Sequence, residues 1–332
     1  MYKYQEFGLV NTKAMFIDAY QEGYAVPAFN FVALEQLMAI VGAASECSSP
    51  IIIQCSANVR RYIGKRFVQR MVQAAVETVR DLESNIQIAL NLDHGMNYEE
   101  CKDCIDWGFS SLMIDGSALP FEENIALTKK VVEYAHKRGV TVEGELGVLS
   151  GVEEIGEEEE GGNRVLRYTD PEQTREFVNK TGVDSLAISI GTSHGVVKTQ
   201  LLPDGTVPEL RFDILQKVHT ELPGFPIVLH GASNITQKHI DMINSNGGNL
   251  TEARGIDEKQ VEKAAQMNVC KINTASDGWI AFTACTRKSL AEKPDMLDPR
   301  GFLKPSIAEM KSVYIHKIKD VFHSDNRKPK GE

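Results

Sequence analysis

Eight short apolar runs, rich in β-branched residues, recur along the chain and are separated by longer stretches with helical patterning. The runs are Ala25–Phe29, Ile51–Cys55, Ile86–Leu90, Leu112–Ile114, Val140–Val142, Leu186–Ile190, Ile227–Leu229 and Val269–Ile272. Most are too short for buried helices, and their composition suits strands covered on both faces. Between them, Val68, Met71, Val72, Ala75 and Val79 keep one helical face apolar, and Asp170-Pro171 opens a helix that runs to Lys180. Eight strands, most followed by a helix, predict a closed (β/α)8 barrel, the TIM barrel; a doubly wound sheet is the alternative. No internal repeat or linker divides the chain, so residues 1–332 read as one domain, with an amphipathic helix from Pro305 to Phe322 appended. Two stretches break the rhythm. Gly147–Tyr168 is long, polar and glycine-rich, carries the run Glu157–Glu160, and has the length of a lid or a disordered loop. Asn244–Asp257 is the second, with Gly247-Gly248 and few apolar residues.

Composition narrows the function classes. Lys plus Arg number 36 against 46 Asp plus Glu, a net charge of −10. That balance argues against a nucleic-acid partner, which needs a basic face, and against a membrane surface, which needs a polybasic stripe. No segment approaches the ~18 consecutive apolar residues of a membrane helix, and the N-terminus lacks a signal-peptide pattern. A cytoplasmic protein is expected. Its six cysteines are scattered rather than arrayed as a disulfide framework. Cys101 and Cys104 form a C-x-x-C without a second pair, and with Ile105 they share one helical face, so core packing is the preferred reading over zinc or redox chemistry.

Polar residues gather at the C-terminal ends of the predicted strands, the end where a barrel of this kind builds its active site. The third strand leads into Asn91-Leu-Asp93-His94-Gly95, the fourth into Asp115-Gly116, and the fifth into Glu143-Gly-Glu145-Leu-Gly147. The sixth leads into Gly191-Thr-Ser-His194-Gly195, the seventh into His230-Gly231-Ala-Ser233, and the eighth into Asn273-Thr-Ala275-Ser276-Asp277. Three of the eight histidines thus follow a strand and precede glycine: His94, His194 and His230. Three neutral imidazoles with an open position suit a catalytic zinc ion, although each alone would read as a strand-end hydrogen bonder. Gly195 and Gly231 let backbone N–H groups approach an anion, Ser233 adds a hydroxyl and Lys198 a point charge, the parts of a phosphate cradle. Asp93 faces either this site or a neighbouring hydrogen bond. Glu153 or Glu154, on the long loop, can swing in as a proton-transfer group.

These motifs resemble the zinc-dependent class II ketose-bisphosphate aldolases, chiefly the fructose-1,6-bisphosphate enzymes, from Val26-Pro27-Ala28-Phe29-Asn30 through Asp298-Pro299-Arg300 to the C-terminal helix. The resemblance implies reversible cleavage of a ketose 1,6-bisphosphate to dihydroxyacetone phosphate and glyceraldehyde 3-phosphate. It implies Zn2+ on His94, His194 and His230, with Asp115 and Glu145 matching a second or alternative metal position, and a monovalent cation as a further candidate. Asp93 then matches the residue that takes the C4 hydroxyl proton, and Glu153 the loop acid that exchanges the proton at C3. Gly195, Lys198, Gly231, Ser233, Asn273 and Ser276 match the phosphate cradle and its surroundings. Ser56 and Arg300, the latter reaching in from a neighbouring subunit, match contacts to the distal half of the sugar, so a homodimer or homotetramer is implied. Zinc as a Lewis acid on the C2 carbonyl would make a Schiff-base lysine unnecessary.

Several residues depart from the pattern of the fructose enzymes. Asn91 stands where His is usual, Ser150 replaces a loop glycine, and Asn234 replaces a small residue. Ala275 replaces Asp, as in tagatose-bisphosphate aldolases, and Trp279 stands in place of an Arg to the distal phosphate. Tagatose bisphosphate or another ketose phosphate is therefore the competing substrate. A non-catalytic metal- or phosphosugar-binding paralogue is a second class, and a barrel metallohydrolase a third.

Overall fold

The computed structural model describes residues 1–149, 165–195, 197–198 and 206–327. Eight parallel strands close into a barrel in chain order: β1 (Val26–Asn30), β2 (Ile51–Ser56), β3 (Ile88–Gly95), β4 (Ser111–Ile114), β5 (Thr141–Leu146), β6 (Ser185–Ile188), β7 (Ile227–Leu229) and β8 (Val269–Thr274). Pairing of β1 with β8, Val26 to Lys271 through Phe29 to Thr274, completes the ring. Every apolar run read from the sequence contributes a strand, and the TIM barrel rather than the doubly wound sheet is the fold.

Side chains alternate in and out of the barrel wall, because successive residues of a strand point to opposite faces. Outward residues such as Ile53, Leu90, Leu112, Val142 and Leu229 join the large core beneath the helices. Inward ones form a graded interior. Val26, Ala28, Ile52 and Ala89 pack on Met15, Phe16 and Ala19 of the helix Lys13–Glu22, which thus plugs the N-terminal mouth. Met113, Ala187 and Val228 form an apolar patch among the inner walls of β4, β6 and β7. Toward the C-terminal mouth the interior turns polar, with Gln54, Asn91, Asp93, Glu143, Glu145, Lys271 and Asn273 all buried.

The helix begun at Asp170 is Pro171–Thr181, its first turn capped by the Asp170 carboxylate accepting from Glu172 N–H at 3.0 Å. Cys101 and Cys104 lie buried on the helix Tyr98–Asp106, as core packing requires. The C-terminal helix differs from expectation. It starts at Pro299, not Pro305, and runs to His316 before a short π-helical turn, Lys317–Val321. Asp298 caps it by accepting from Arg300 N–H at 3.0 Å, so Pro299 occupies the first-turn position where a missing N–H costs nothing. Pro305 lies inside the helix.

Gly144 shows how the wall is tuned. It points outward from β5, and a Cβ there would come within 2.8 Å of the buried Phe177 ring on Pro171–Thr181. Gly144→Ala should therefore cost about 1–3 kcal/mol by overpacking, read as a lowered midpoint in urea denaturation; an unchanged midpoint would show that the helix yields freely.

Candidate active site

Asp93 and His94 are adjacent, and a regular strand would send them to opposite faces. Pairing of β3 with β4 instead slips between Leu92 and Gly95, and His94 takes a left-handed backbone conformation with φ of 47°. Such irregularities re-aim side chains beside functional sites. Here Asp93 stays inside the barrel while His94 turns over its mouth toward Asp115, whose Oδ2 lies 3.2 Å from His94 Nδ1.

The three strand-end histidines meet. The His94 ring lies 4.7 Å, centroid to centroid, from both the His194 and His230 rings. His94 Nε2 and His230 Nδ1 face each other at 3.0 Å. Ligand atoms of all three lie within 4.8 Å of one another, and the same holds for His94, Asp115 and Glu145. Carboxylates behind the rings select which nitrogen faces the centre. His230 Nε2 sits 2.6 Å from Glu143 Oε1, and His94 Nδ1 is turned to Asp115, leaving His230 Nδ1 and His94 Nε2 to point inward. Glu143 in turn accepts from Lys271 Nζ at 2.7 Å, deep in the barrel. His194 Nε2 is buried and has no hydrogen-bond partner among the described residues.

The electrostatics suit metal ligation. Burial, then the neighbouring His94 and Lys198 charges, pushes His194 well below the ordinary histidine range. Burial also lowers His230, outweighing the pull of Glu143, and both shifts favour the neutral imidazole that a metal requires. A tetrahedral zinc ion with N ligands at about 2.0–2.1 Å separates neighbouring nitrogens by about 3.3 Å, close to the spacing of His94 and His230. The donor set and the orphaned nitrogen therefore fit a zinc ion. Asp115 is otherwise engaged, its Oδ1 accepting from Ser117 N–H at 3.1 Å and Ser117 Oγ at 2.6 Å.

Beside the histidines, Asp93 is clamped by three amides. Asn30 donates to Oδ2 at 2.7 Å, Gln54 to Oδ2 at 3.1 Å and Asn273 to Oδ1 at 3.0 Å. Burial pushes its carboxyl up, but His94, His230, Lys271 and the Asn30 hydrogen bond together hold it below the ordinary range. Asn91 donates to Gln54 Oε1 at 3.3 Å.

A cleft over the cluster is lined by His194, Lys198, Gly231, Ser233, Asn273 and Ser276, joining the expected metal and phosphate halves of the site, with Asn30 at its floor. Gly231 has φ of 66°, and a Cβ there would stand 2.6 Å from the Ser193 carbonyl, so only glycine fits this close approach. Ala275 N–H donates to Ser233 Oγ at 3.1 Å, and Ser276 Oγ lies 3.5 Å from the Gly195 carbonyl, tying the cradle segments together. Two expected contacts do not line this cleft. Ser56 caps the helix Ala57–Ile63, accepting from Val59 N–H at 3.2 Å. Arg300 is exposed and pairs with Asp298 at 2.6 Å, and it is not part of the cleft lining. Glu153 and Glu154 lie outside the described residues, as does Ser150. Glu143, Lys271, Asn30 and Gln54 are the members that sequence reasoning left without a role. Their signal is the two-residue step: Glu143 with Glu145, Lys271 with Asn273, and Gln54 with Ser56 share the inner face.

The family model described as Fructose-bisphosphate aldolase class-II matches residues 10–327. A fructose-bisphosphate aldolase of Treponema pallidum is 49% identical, over 98% of this chain and all of the relative. A class 2 fructose-bisphosphate aldolase of Synechocystis is 40% identical, over 96% of this chain and 91% of the relative. Among solved structures, the YdjI aldolase of Escherichia coli K12 superposes with a TM-score of 0.74 at 28% identity, covering 97% of this chain and all of that one.

Replacing Glu143 by Gln should keep the fold but weaken zinc binding about 10–100-fold, measured by competition with a chromophoric chelator; unaltered affinity would detach Glu143 from the metal centre. A strand-built site of this composition, matched over nearly its whole length, makes the chain a member of the class II fructose-bisphosphate aldolase family.

Proposed function

We propose that the chain cleaves fructose 1,6-bisphosphate reversibly to dihydroxyacetone phosphate and glyceraldehyde 3-phosphate, with zinc held by His94, His194 and His230. The observation that carries this reading is the convergence of three buried imidazoles beside an Asp93 clamped by three amides, with a cleft lined by Lys198, Ser233 and Ser276. Bound there, zinc supplies Lewis acidity toward the ketose carbonyl and its neighbouring hydroxyl. Asp115 orients His94 in this reading, and with Glu145 it forms the alternative metal position.

The chain's own residues divide the proton work. Asp93 takes the proton of the C4 hydroxyl as the C3–C4 bond breaks, so that C4 becomes the aldehyde carbon. The bonding electrons stay with C3, which Glu153 protonates from the loop. Three amide donors keep Asp93 ionised and fixed for this step, since a base works only within hydrogen-bond reach of its proton. Lys198, Ser233, Ser276 and the backbone around Gly195 and Gly231 hold the phosphate of the dihydroxyacetone half. Asn273 bridges the two functions, donating to Asp93 while it lines the cleft. Arg300, exposed at a helix start, reaches the distal half of a substrate bound in a neighbouring subunit of a homo-oligomer, and Ser56 contacts the same half of the sugar.

Ala275 favours tagatose 1,6-bisphosphate as the competing substrate, because that position distinguishes the two enzyme groups. Coupled assays with both bisphosphates decide the order: fructose bisphosphate should give the higher kcat/KM, and no turnover of either would refute the aldolase reading. Asp93→Asn should lower kcat by about 10²–10⁴-fold, the contribution of a positioned base, with zinc retained. Chelation should abolish turnover and zinc should restore it; full activity in metal-free protein would contradict the assignment.

A further inference from the structure

The C-terminal helix and its π-turn carry a buried cation that the reaction above does not use. Lys317 is 1% exposed. Its Nζ lies 2.8 Å from Glu258 Oε1 and 3.3 Å from Asp277 Oδ1. Neither carboxylate belongs to the same element. Glu258 opens the helix Glu258–Gln266, and Asp277 lies in the first turn of Ser276–Glu292.

Both carboxylates hold the loop that follows β7. Asp277 Oδ1 accepts from Asn234 N–H at 2.9 Å, the residue directly after Ser233. Burial pushes the Glu258 carboxyl up, but Lys317's charge and hydrogen bonds from His316 and Asn234 bring it down to about 2. Ser233 also receives Ala275 N–H, so the 231–234 and 275–277 segments are joined on the cleft side by a hydroxyl and behind it by an ionised cluster. The C-terminal helix is seated to permit this. Gly278 faces the Tyr314 hydroxyl so closely that a Cβ would collide with it, and the Tyr314 ring packs 4.6 Å, centroid to centroid, from Phe29 of β1.

We infer that Lys317 is a positioning residue for phosphate binding: through Asp277 and Glu258 it locks the two cradle segments, Gly231–Asn234 and Ala275–Asp277, in the spacing that a phosphate dianion needs. The inference rests on the aldolase reading for its substrate, but not for its anion. A buried lysine between two carboxylates is an expensive arrangement, and removing one partner leaves unpaired charge. That strain falls on the cradle, because the Asp277 oxygen that faces Lys317, Oδ1, is the same one that accepts from Asn234 N–H.

The test compares wild type, Lys317→Met, Asp277→Asn and the double variant, all zinc-loaded. Asp277→Asn is isosteric and keeps an acceptor for Asn234, so it reports even where Lys317→Met folds poorly. Readouts are kcat and KM for fructose 1,6-bisphosphate, Kd for inorganic phosphate by calorimetry, zinc content and the thermal midpoint. Each single variant should raise KM and the phosphate Kd roughly tenfold, as small displacements of binding groups do, with kcat changed far less and zinc retained. The double variant should be no worse than the worse single, the mark of residues acting through one contact. A lowered thermal midpoint with unchanged KM and phosphate Kd, or strictly additive losses, would overturn the inference and leave Lys317 a stabilising residue only. Wild type that binds phosphate but cleaves no ketose bisphosphate would instead refute the aldolase reading, and the phosphate Kd values would still decide the role of Lys317.

Discussion

A single chain of buried charges, Lys271 to Glu143 to His230, sets the conditions for everything at the mouth of this barrel. All three side chains are almost wholly excluded from water, and the links measure 2.7 and 2.6 Å. A carboxylate in such a place is tolerable only when paired and hydrogen-bonded on both oxygens. Lysine on one side and imidazole on the other meet that demand. The arrangement also fixes the imidazole, since the nitrogen that faces Glu143 cannot face the cleft. A barrel is well suited to hold it, because β5, β7 and β8 each contribute one inward residue at a defined height, and the closed sheet leaves no edge through which water reaches them.

From that anchor the site is assembled by small departures from regularity. The slip in β3 lets adjacent residues serve two purposes, Asp93 within the amide clamp and His94 over the histidine cluster. Left-handed backbone at His94 has a local cost that the surrounding structure offsets, whereas Gly231 adopts it freely. The polar upper interior stands on an apolar lower one, plugged by Lys13–Glu22. Packing at the closed end thus supplies rigidity and polarity at the open end supplies chemistry, the division usual in this architecture.

Much of this was legible in the sequence, and the limits have physical causes. The strands were readable because both faces of each are covered, which leaves runs such as Ile51-Ile52-Ile53 with almost no polar interruption. His94, His194 and His230 were readable because each sits at a strand end before glycine. Their supporting residues were hidden in plain view: Glu143 stood inside a recognised motif, yet its partners His230 and Lys271 lie 87 and 128 residues away. Inward alternation marks such residues as buried and polar, but pairing among strands depends on register, which one sequence does not print. The last helix starts at Pro299 rather than Pro305 because Asp298 accepts from Arg300 N–H and caps the chain there, earlier than its apolar pattern marks. The loop with Glu153 falls outside the described residues, so its role rests on the resemblance.

The net charge of −10, unpromising for a doubly phosphorylated substrate, does not govern the cleft, because local fields outweigh overall charge at a site. In the proposed reading, Lys198, the backbone around Gly195 and Gly231, and a metal on the histidines would give the near end its attraction, and Trp279 would leave the distal end to Arg300. Zinc K-edge X-ray absorption on the loaded protein tests the central claim most directly. Three imidazoles should give a nitrogen/oxygen shell at about 2.0–2.1 Å with the outer scattering of histidine rings. A sulfur shell at about 2.3 Å, which would move the metal to Cys101 and Cys104, would contradict it.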